Sequence, residues 1–306
     1  MTPRQINRIA GSEPGPTLII IGGLHGNEPA GMEAARIVLS RLRHDKTPLR
    51  GEVVALAGNL RALVARRRYL DRDLNRQWTE ERVAEARRAV AGAGVDGVEA
   101  ELHETVELAD AIDAIIARAR GPVFVLDLHT TSSEGTPFGV VGPTPEHRAF
   151  AAHFALPCMV GLEGQLPGVL TSYMGRRGCV TFAVEGGQHD SAKARDHLVS
   201  AVIVALVASG VFARADMPDY DASNAVLENA RGQLPKLIEV LSRHAVAPDH
   251  DFRMEPGFST IHPTLAGTLI ARDRQGEIRA PNDCIVLLPL YQAQGADGFF
   301  VGRALD

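Results

Sequence analysis

Four short apolar runs, with helical patterns around them, are the most regular feature of the chain. The runs are Leu18–Ile21, Val53–Ala57, Val123–Leu126 and Val180–Val184. Because apolar residues occupy successive positions, the runs predict parallel strands that are buried on both faces. Helical patterns lie between or after the runs, at Ala30–Leu42, Glu80–Val90, Glu101–Ala119 and His197–Val207. This alternation predicts a doubly wound α/β fold with a mixed, mainly parallel sheet.

The pattern changes after about residue 212. Residues 213–224 are polar and include the turn Met217-Pro218-Asp219, which predicts a linker. Beyond the linker, short apolar runs separated by turn residues predict a small β-rich domain over residues 225–306. We therefore expect a large domain over residues 1–212 and a small C-terminal domain after the linker.

The composition excludes several classes of function. The chain has 306 residues, of which 45% are hydrophobic and 23% charged, and its net charge is −5. These values are typical of a soluble globular protein and give no basic surface for nucleic acid. No apolar run approaches the roughly 18 residues that a membrane helix needs. Three scattered cysteines favour a reducing compartment, so we expect a cytoplasmic protein. From the charge and the apolar runs we expect no nucleic-acid or membrane partner.

Polar side chains follow each of the four predicted strands where the strand ends. They are His25 and Glu28, Asn59, Asp127 and His129, and Glu185. In open α/β sheets, ligands bind at the carboxyl ends of the strands. We therefore expect these side chains to lie at one edge of the sheet, where a ligand would bind.

Two histidines and a glutamate in this set match a zinc site. His25 and Glu28 taken alone are also typical of a surface pair or a helix cap. Together with His129, they supply the two imidazoles and one carboxylate of a catalytic zinc site with an open fourth position. The same ligands would accept other divalent metals. Asp127 lies two residues before His129 on the same strand face, where it would orient that ligand or satisfy backbone donors nearby.

Two further features have both a catalytic and a structural interpretation. Glu185 ends a buried strand, either as the general base on a water that zinc activates or as a capping or ion-paired carboxylate. The segment Arg68–Arg76 is dense in charge, which is typical of a solvated loop held by ion pairs. The alternative is that its arginines and Asn75 bind a substrate carboxylate and stabilise an oxyanion near the zinc.

Five motifs together resemble the succinylglutamate desuccinylase/aspartoacylase family, a branch of the zinc carboxypeptidase-like hydrolases. They are Gly23-Leu-His25-Gly-Asn-Glu28, Asn59-Leu-Arg-Ala, Arg68-Tyr-Leu-Asp-Arg-Asp-Leu-Asn75-Arg76, Asp127-Leu-His129-Thr-Thr and Val184-Glu185-Gly-Gly. They occur in the family's order over about residues 17–190, and the C-terminal segment is similar to the family's small β domain. The resemblance implies a zinc hydrolase domain over residues 1–212.

The resemblance also implies the catalytic residues. His25, Glu28 and His129 would bind one zinc ion per chain. Glu185 would activate water and then protonate the leaving amine. Arg68 would polarise the scissile carbonyl.

For the substrate, the resemblance implies that Asn75 and Arg76 bind a carboxylate. The family has another substrate-binding arginine, and the spacing leaves Arg176 and Arg177 as alternatives for it. Tyr291, in the small domain, is a candidate for a further substrate contact.

The implied function is hydrolysis of the amide bond in a small N-acyl amino acid or a related amide. The sequence leaves open which acyl group and which amine are released, and whether the protein forms a homo-oligomer. A zinc carboxypeptidase acting on short peptides is the first alternative, and a non-catalytic small-molecule binding protein on the same fold is the second. A nucleotide-binding protein ranks last, because Gly22-Gly23 does not form a dinucleotide or P-loop pattern.

Overall fold

The computed structural model describes residues 3–92 and 97–305. The strands are β1 (Gln5–Ala10), β2 (Thr17–Gly22), β3 (Glu52–Ala57), β4 (Val123–Thr131), β5 (Phe138–Val141), β6 (Cys158–Val160), β7 (Val180–Gln188), β8 (Leu237–Ala245), β9 (Arg253–Met254), β10 (Ile261–Thr264), β11 (Leu269–Asp273), β12 (Gly276–Arg279), β13 (Cys284–Leu287) and β14 (Asp297–Leu305). The helices are α1 (Ala30–Asp45), α2 (Leu60–Ala65), α3 (Glu80–Gly92), α4 (Ala100–Arg118), α5 (Pro145–Ala151), α6 (Leu162–Gln165), α7 (Leu170–Arg176), α8 (Ala192–Ala208) and α9 (Tyr220–Arg231). None of the helices in the described ranges has the length and apolar character needed to cross a membrane.

One large sheet runs through most of the fold, in the order β1-β3-β2-β4-β7-β5-β6-β8-β14-β13-β10. Its centre, β3-β2-β4-β7, is parallel, whereas β1 and β5 flank this centre in the antiparallel direction. Strands β8, β14, β13 and β10 continue the sheet as antiparallel neighbours. A second, three-stranded sheet has the order β12-β11-β9. The predicted fold class, a mixed and mainly parallel α/β sheet, is therefore confirmed.

Both faces of the central sheet are covered by helices. Along β2, Leu18 and Ile20 pack with α1 and α8 on one face, while Ile19 and Ile21 pack with α3 and α4 on the other. This alternation explains why the strand has no polar face, since successive side chains point to opposite sides of a sheet. Burying a side chain of this size contributes about 1.5–3 kcal/mol, so strands of this kind anchor the centre of the fold.

The predicted helices and strands of the first 212 residues agree with the structure, with small differences at their ends. Helix α8 begins at Ala192, five residues before the predicted start at His197. Its first turn, Ala-Lys-Ala-Arg, carries no apolar stripe that would mark a start in the sequence. Helix α1 likewise continues to Asp45, beyond the apolar pattern that ends at Leu42.

The segment predicted as a linker contains regular structure. A 3-10 turn covers Arg214–Asp216, and α9 begins at Tyr220 and packs on α8. This helix buries only Ser223 and Leu227. Its first five residues, Tyr-Asp-Ala-Ser-Asn, fall in the predicted linker and contain too few apolar residues to indicate a helix. The division into domains at residues 212 and 225 remains a prediction.

A close approach between β2 and α1 determines where the loop between them lies. A Cβ atom on Gly22 would lie 2.5 Å from the backbone nitrogen of Met32, and one on Gly31 would lie 2.7 Å from Cβ of Leu128. Only glycine allows backbones to approach so closely. The polar loop over residues 23–29 is therefore held tightly against the carboxyl edge of the sheet.

Candidate active site

The carboxyl ends of three neighbouring strands bring four of the predicted side chains together. His25 and Glu28 lie on the loop after β2, His129 lies in β4, and Glu185 lies in β7. In the sheet register, His129 is directly opposite Glu185. The convergence expected from the strand ends is thus present in the fold.

Glu28 connects the two histidines. Its Oε1 lies 2.8 Å from Nδ1 of His25, and its Oε2 lies 3.1 Å from Nδ1 of His129. The backbone N–H of Thr130 also donates to Oε2, at 3.0 Å. One potential ligand atom from each of the three side chains falls within 4.8 Å of the others, and all three side chains are buried. Two imidazole nitrogens and one carboxylate oxygen at this spacing fit a divalent metal such as zinc.

A second carboxylate lies against each imidazole. Asp73 Oδ1 lies 3.1 Å from Nε2 of His25, and Asp127 Oδ2 lies 3.0 Å from Nε2 of His129. Carboxylates in this position fix the orientation of metal-binding histidines and increase their basicity. Asp73 was not singled out from the sequence, where it is one of several charged residues in the segment Arg68–Arg76.

The pKa values of this cluster reflect its buried charges. Burial opposes the charge on Glu28, but His25 and His129 outweigh it and hold the pKa of Glu28 well below its ordinary value. For His129, burial opposes the charge, whereas Asp127 and Glu28 raise its pKa well above its ordinary value. In the metal-free protein the cluster therefore holds protons that a bound cation would displace.

Glu185 lies in a different environment, although it shares the edge of the sheet. Burial raises its pKa to about 8, with Glu28 and Asp127 adding to the shift and His129 and Arg68 opposing it. Its Oε2 is buried and has no hydrogen-bond partner in the part of the chain that the structure describes. A carboxyl group with this pKa can both accept and release a proton near neutral pH.

Arg68 lies beside the cluster. Its Nη1 is 3.5 Å from Glu28 Oε1, and its Nη2 donates to Asp73 Oδ2 at 3.0 Å. Although burial opposes the charge, Asp73 and Glu28 raise the pKa of the guanidinium, which therefore stays protonated. A fixed positive charge at this position would stabilise an oxyanion that forms near the cluster.

Asn75 and Arg76 follow in the same segment and already have protein partners. Asn75 Oδ1 accepts a hydrogen bond from the backbone N–H of Leu170, at 2.9 Å. Arg76 donates to Asp297 Oδ2 at 2.6 Å, and Arg243 donates to the other oxygen of Asp297 at the same distance. Asp297 was missed in the sequence because it lies 221 residues from Arg76 and no local motif surrounds it.

These groups line one cavity of about 150 Å³. The lining includes the cluster, Glu185, Arg68, Asn75 and Arg76. The C-terminal part of the chain adds further lining residues: Leu288, Pro289, Leu290, Gln292, Gly295, Asp297 and Phe300. Leu162, Leu166 and Val169 add an apolar surface. A cavity of this size and mixed polarity fits a small polar molecule.

The catalytic-domain model of the succinylglutamate desuccinylase/aspartoacylase family matches residues 14–209. The chain belongs to this family. Both enzymes in the family's name remove acyl groups, so the chain is a member of a family of hydrolytic deacylases. The resemblance seen in five short motifs is thereby confirmed over most of the chain.

Individual members of the family are distant in sequence. Succinylglutamate desuccinylase of Burkholderia thailandensis is 26% identical over 267 residues, covering 84% of this chain and 70% of that protein. A probable aspartoacylase of Parasynechococcus marenigrum is 38% identical over 103 residues, which are 29% of this chain and 33% of that protein. At these identities and coverages, the relatives support the family but do not identify a substrate.

Solved structures show the same fold. A succinylglutamate desuccinylase/aspartoacylase from Rhodobacter sphaeroides has a TM-score of 0.68 at 20% identity, covering 97% of this chain and 88% of that one. Murine aminoacylase 3 has a TM-score of 0.58 at 18% identity, covering 96% of each chain. The architecture therefore extends over the C-terminal strands as well as the matched catalytic domain.

Tyr291 does not line the cavity in the part of the chain that the structure describes. Its hydroxyl donates to the backbone oxygen of Glu255 at 2.7 Å and accepts from the N–H of Phe258 at 3.1 Å, so it is fully engaged with the neighbouring loop. The adjacent residues Leu290 and Gln292 line the cavity instead. A contact between Tyr291 and a substrate stays a prediction.

Three other polar residues considered in the sequence lie outside the lining as well. In the described ranges, Arg176 donates to the backbone oxygen of Trp78, and Arg177 forms an ion pair with Asp113. Neither arginine reaches the cavity. Asn59 caps the first turn of α2, where its Oδ1 accepts from the N–H of Ala62. Its contribution to the site is therefore indirect.

Proposed function

We propose that the chain is a zinc-dependent deacylase that hydrolyses the amide bond of a small N-acyl amino acid. The observation that carries this proposal is the buried cluster of His25, Glu28 and His129, with Glu185 at the same edge of the sheet. Membership in a deacylase family supports the reaction class. The metal and the substrate are the parts that the proposal adds.

His25, Glu28 and His129 would hold one zinc ion, and the carboxylates of Asp73 and Asp127 would orient the two imidazoles. When bound, zinc supplies a Lewis acid that polarises a carbonyl oxygen and lowers the pKa of water. The chemistry of the donor set favours zinc over the hard cations calcium and magnesium, which take oxygen ligands almost exclusively.

The side chains around the cluster provide the remaining steps. Glu185 takes a proton from the attacking water as that water adds to the acyl carbon, and then delivers the proton to the nitrogen of the leaving amine. Arg68 donates to the carbonyl oxygen, where negative charge develops. The C–N bond then breaks, and the products are a carboxylic acid and an amine.

Asn75 and Arg76, which both line the cavity, would bind a carboxylate of the substrate. Arg76 donates to Asp297 and to the backbone oxygen of Asn75, and these contacts hold the guanidinium at the cavity, where its remaining N–H groups would donate to a carboxylate. The cavity volume of about 150 Å³ and the wall formed by residues 288–300 favour small substrates. For this reason we place a deacylase ahead of a carboxypeptidase that acts on peptides.

The direct test is removal of the metal, followed by its return. We expect chelator-treated protein to lose hydrolysis of a panel of N-acetyl and N-succinyl amino acids, and stoichiometric zinc to restore it. Unacylated dipeptides serve as the comparison and are expected to react more slowly. Full activity after removal of the metal, or faster cleavage of the dipeptides, would contradict the proposal.

Two variants separate metal binding from proton transfer. His25→Ala is expected to lose zinc by elemental analysis. Glu185→Gln is expected to keep zinc and to lower kcat by about 10²- to 10⁴-fold, the usual contribution of a general acid–base. A Glu185→Gln protein with wild-type kcat would remove this residue from the mechanism.

A further inference from the structure

The catalytic arginine and its neighbours lie on a loop with little regular structure. We call residues 66–77 the arginine loop; it contains Arg68, Asp73, Asn75 and Arg76, and only its 3-10 turn at Leu74–Arg76 is regular. Such a loop has backbone N–H groups without partners in a helix or strand, and buried N–H groups need acceptors. The groups that accept these hydrogen bonds therefore determine the conformation of the loop.

Three consecutive N–H groups of the loop, at residues 70–72, share one acceptor, which is a buried carboxylate outside the cavity lining. Glu101 Oε1 accepts from the backbone N–H of Leu70 at 2.8 Å, and Oε2 accepts from Asp71 at 2.9 Å and from Arg72 at 3.2 Å. Asn59 Nδ2 donates to Oε1 at 2.9 Å as a fourth partner. The Glu101 side chain is fully buried. An ionised carboxylate only accepts hydrogen bonds, so it satisfies all four donors.

The contact is reciprocal. Asp71 Oδ2 accepts from the backbone N–H of Ala100, the first residue of α4, at 2.7 Å. Glu101 is the second residue of that helix, where the helix dipole favours a negative charge. The arginine loop thus caps α4, and the same turn of α4 holds three consecutive N–H groups of the loop. Each segment fixes the other.

The consequence extends to the catalytic cluster. The backbone oxygen of Arg68 accepts from the N–H of Gly26, at 3.1 Å, in the loop that carries His25 and Glu28. Asp73 contacts both His25 and Arg68. A shift of the loop at residues 70–72 would therefore move the guanidinium and the Asp73 carboxylate relative to the cluster.

We propose that Glu101 is a positioning residue, whose buried carboxylate sets the arginine loop so that Arg68 and Asp73 lie beside the His25–Glu28–His129 cluster. The proposal rests on the proposed deacylase function, because its main readout is catalysis. Glu101 acts through the backbone of the loop and contacts no reacting atom.

The chain contains a matched control three residues further along α4. Glu104 is also fully buried, and its oxygens accept from the backbone N–H groups of Leu60 and Arg61, each at 3.0 Å, at the start of α2. It also pairs with the side chains of Arg4 and Arg61. Glu104 therefore resembles Glu101 in burial and in its amide partners, but it holds α2 instead of the arginine loop.

The experiment compares Glu101→Gln with Glu104→Gln. An amide at either position replaces one acceptor with a donor, so both variants are expected to lose thermal stability. Only Glu101→Gln is expected to lower kcat/KM for the best N-acyl amino acid, by about 10- to 100-fold, since small misplacements of a catalytic group have effects of this size. Glu104→Gln is expected to remain within about threefold of wild type. Zinc content is expected to be unchanged in both.

Hydrogen exchange supplies a readout that needs no substrate. We expect amides in a peptide covering residues 66–77 to exchange faster in Glu101→Gln than in Glu104→Gln. Wild-type kcat/KM in Glu101→Gln, or equal losses in the two variants, would overturn the positioning role. If the wild-type chain hydrolyses no N-acyl amino acid, the deacylase proposal fails. The positioning role of Glu101 is then tested by hydrogen exchange alone, and unchanged amide exchange of the arginine loop in Glu101→Gln would overturn it.

Discussion

Replacing Glu185 with glutamine should stabilise the metal-free protein at alkaline pH. In an unfolded chain this carboxyl loses its proton near its ordinary pKa of 4.5, whereas burial raises the pKa in the folded protein to about 8. The folded state therefore binds an extra proton between these values, and wild-type stability falls as pH rises from about 4.5 to about 8. Above pH 8 the full cost of the buried charge is present.

The size of the effect follows from the same shift. Each pH unit between the two pKa values contributes about 1.4 kcal/mol, so the cost at pH 9 is at most about 5 kcal/mol. Glutamine does not ionise and escapes this cost. We expect Glu185→Gln to match wild type near pH 4.5 and to be more stable by a few kcal/mol, at most about 5, at pH 9.

The assay is urea unfolding of chelator-treated protein at pH 5, 7 and 9, followed by circular dichroism and linear extrapolation. Glu85→Gln, an exposed position on α3, is the control and should show no such trend. Adding zinc is expected to shrink the difference, because a nearby cation favours the Glu185 carboxylate. A stability difference that stays flat from pH 5 to pH 9 would refute the reasoning.

Three further predictions test the geometry around the site. Gly31→Ala would place a Cβ atom 2.7 Å from the Cβ atom of Leu128. We expect this clash to lower the free energy of unfolding, measured in urea, by about 1–3 kcal/mol. An unchanged free energy of unfolding would contradict the close approach of α1 to the sheet. Asp297→Ala removes the shared partner of Arg76 and Arg243 and should lower the free energy of unfolding, measured in thermal melts, by about 1–2 kcal/mol. An unchanged free energy of unfolding would show that these partly exposed ion pairs do not stabilise the fold. Tyr291→Phe should leave KM within about twofold of wild type, and a larger increase would bring its hydroxyl into the site.

The centre of the fold was predictable because each signal is local. The apolar run before His25 is buried on both faces, and its unbroken apolar character, ended by two glycines, indicates a parallel strand. The position of His129 at the end of another such run then predicts that the two histidines share an edge. These inferences need only the chain's own pattern and the general geometry of α/β sheets.

The supporting residues depend on contacts that no local pattern encodes. Glu101 opens an amphipathic helix, where a glutamate usually faces water, and only the folded arginine loop buries it. Asp297 reaches Arg76 because β14 joins the same large sheet through β8 and β6. Whether Tyr291 faces the cavity depends on the conformation of the loop after β13, in which its hydroxyl bonds to backbone groups of Glu255 and Phe258.

The cavity has walls from two distant stretches of chain. The candidate metal ligands, Arg68 and Glu185 are encoded before residue 190, whereas another part of the lining lies between Leu288 and Phe300. A mutation in the second stretch alters the space facing the cluster without touching His25, Glu28 or His129. Substrate preference can therefore change through substitutions at residues 288–300, while selection preserves the hydrolytic residues encoded upstream.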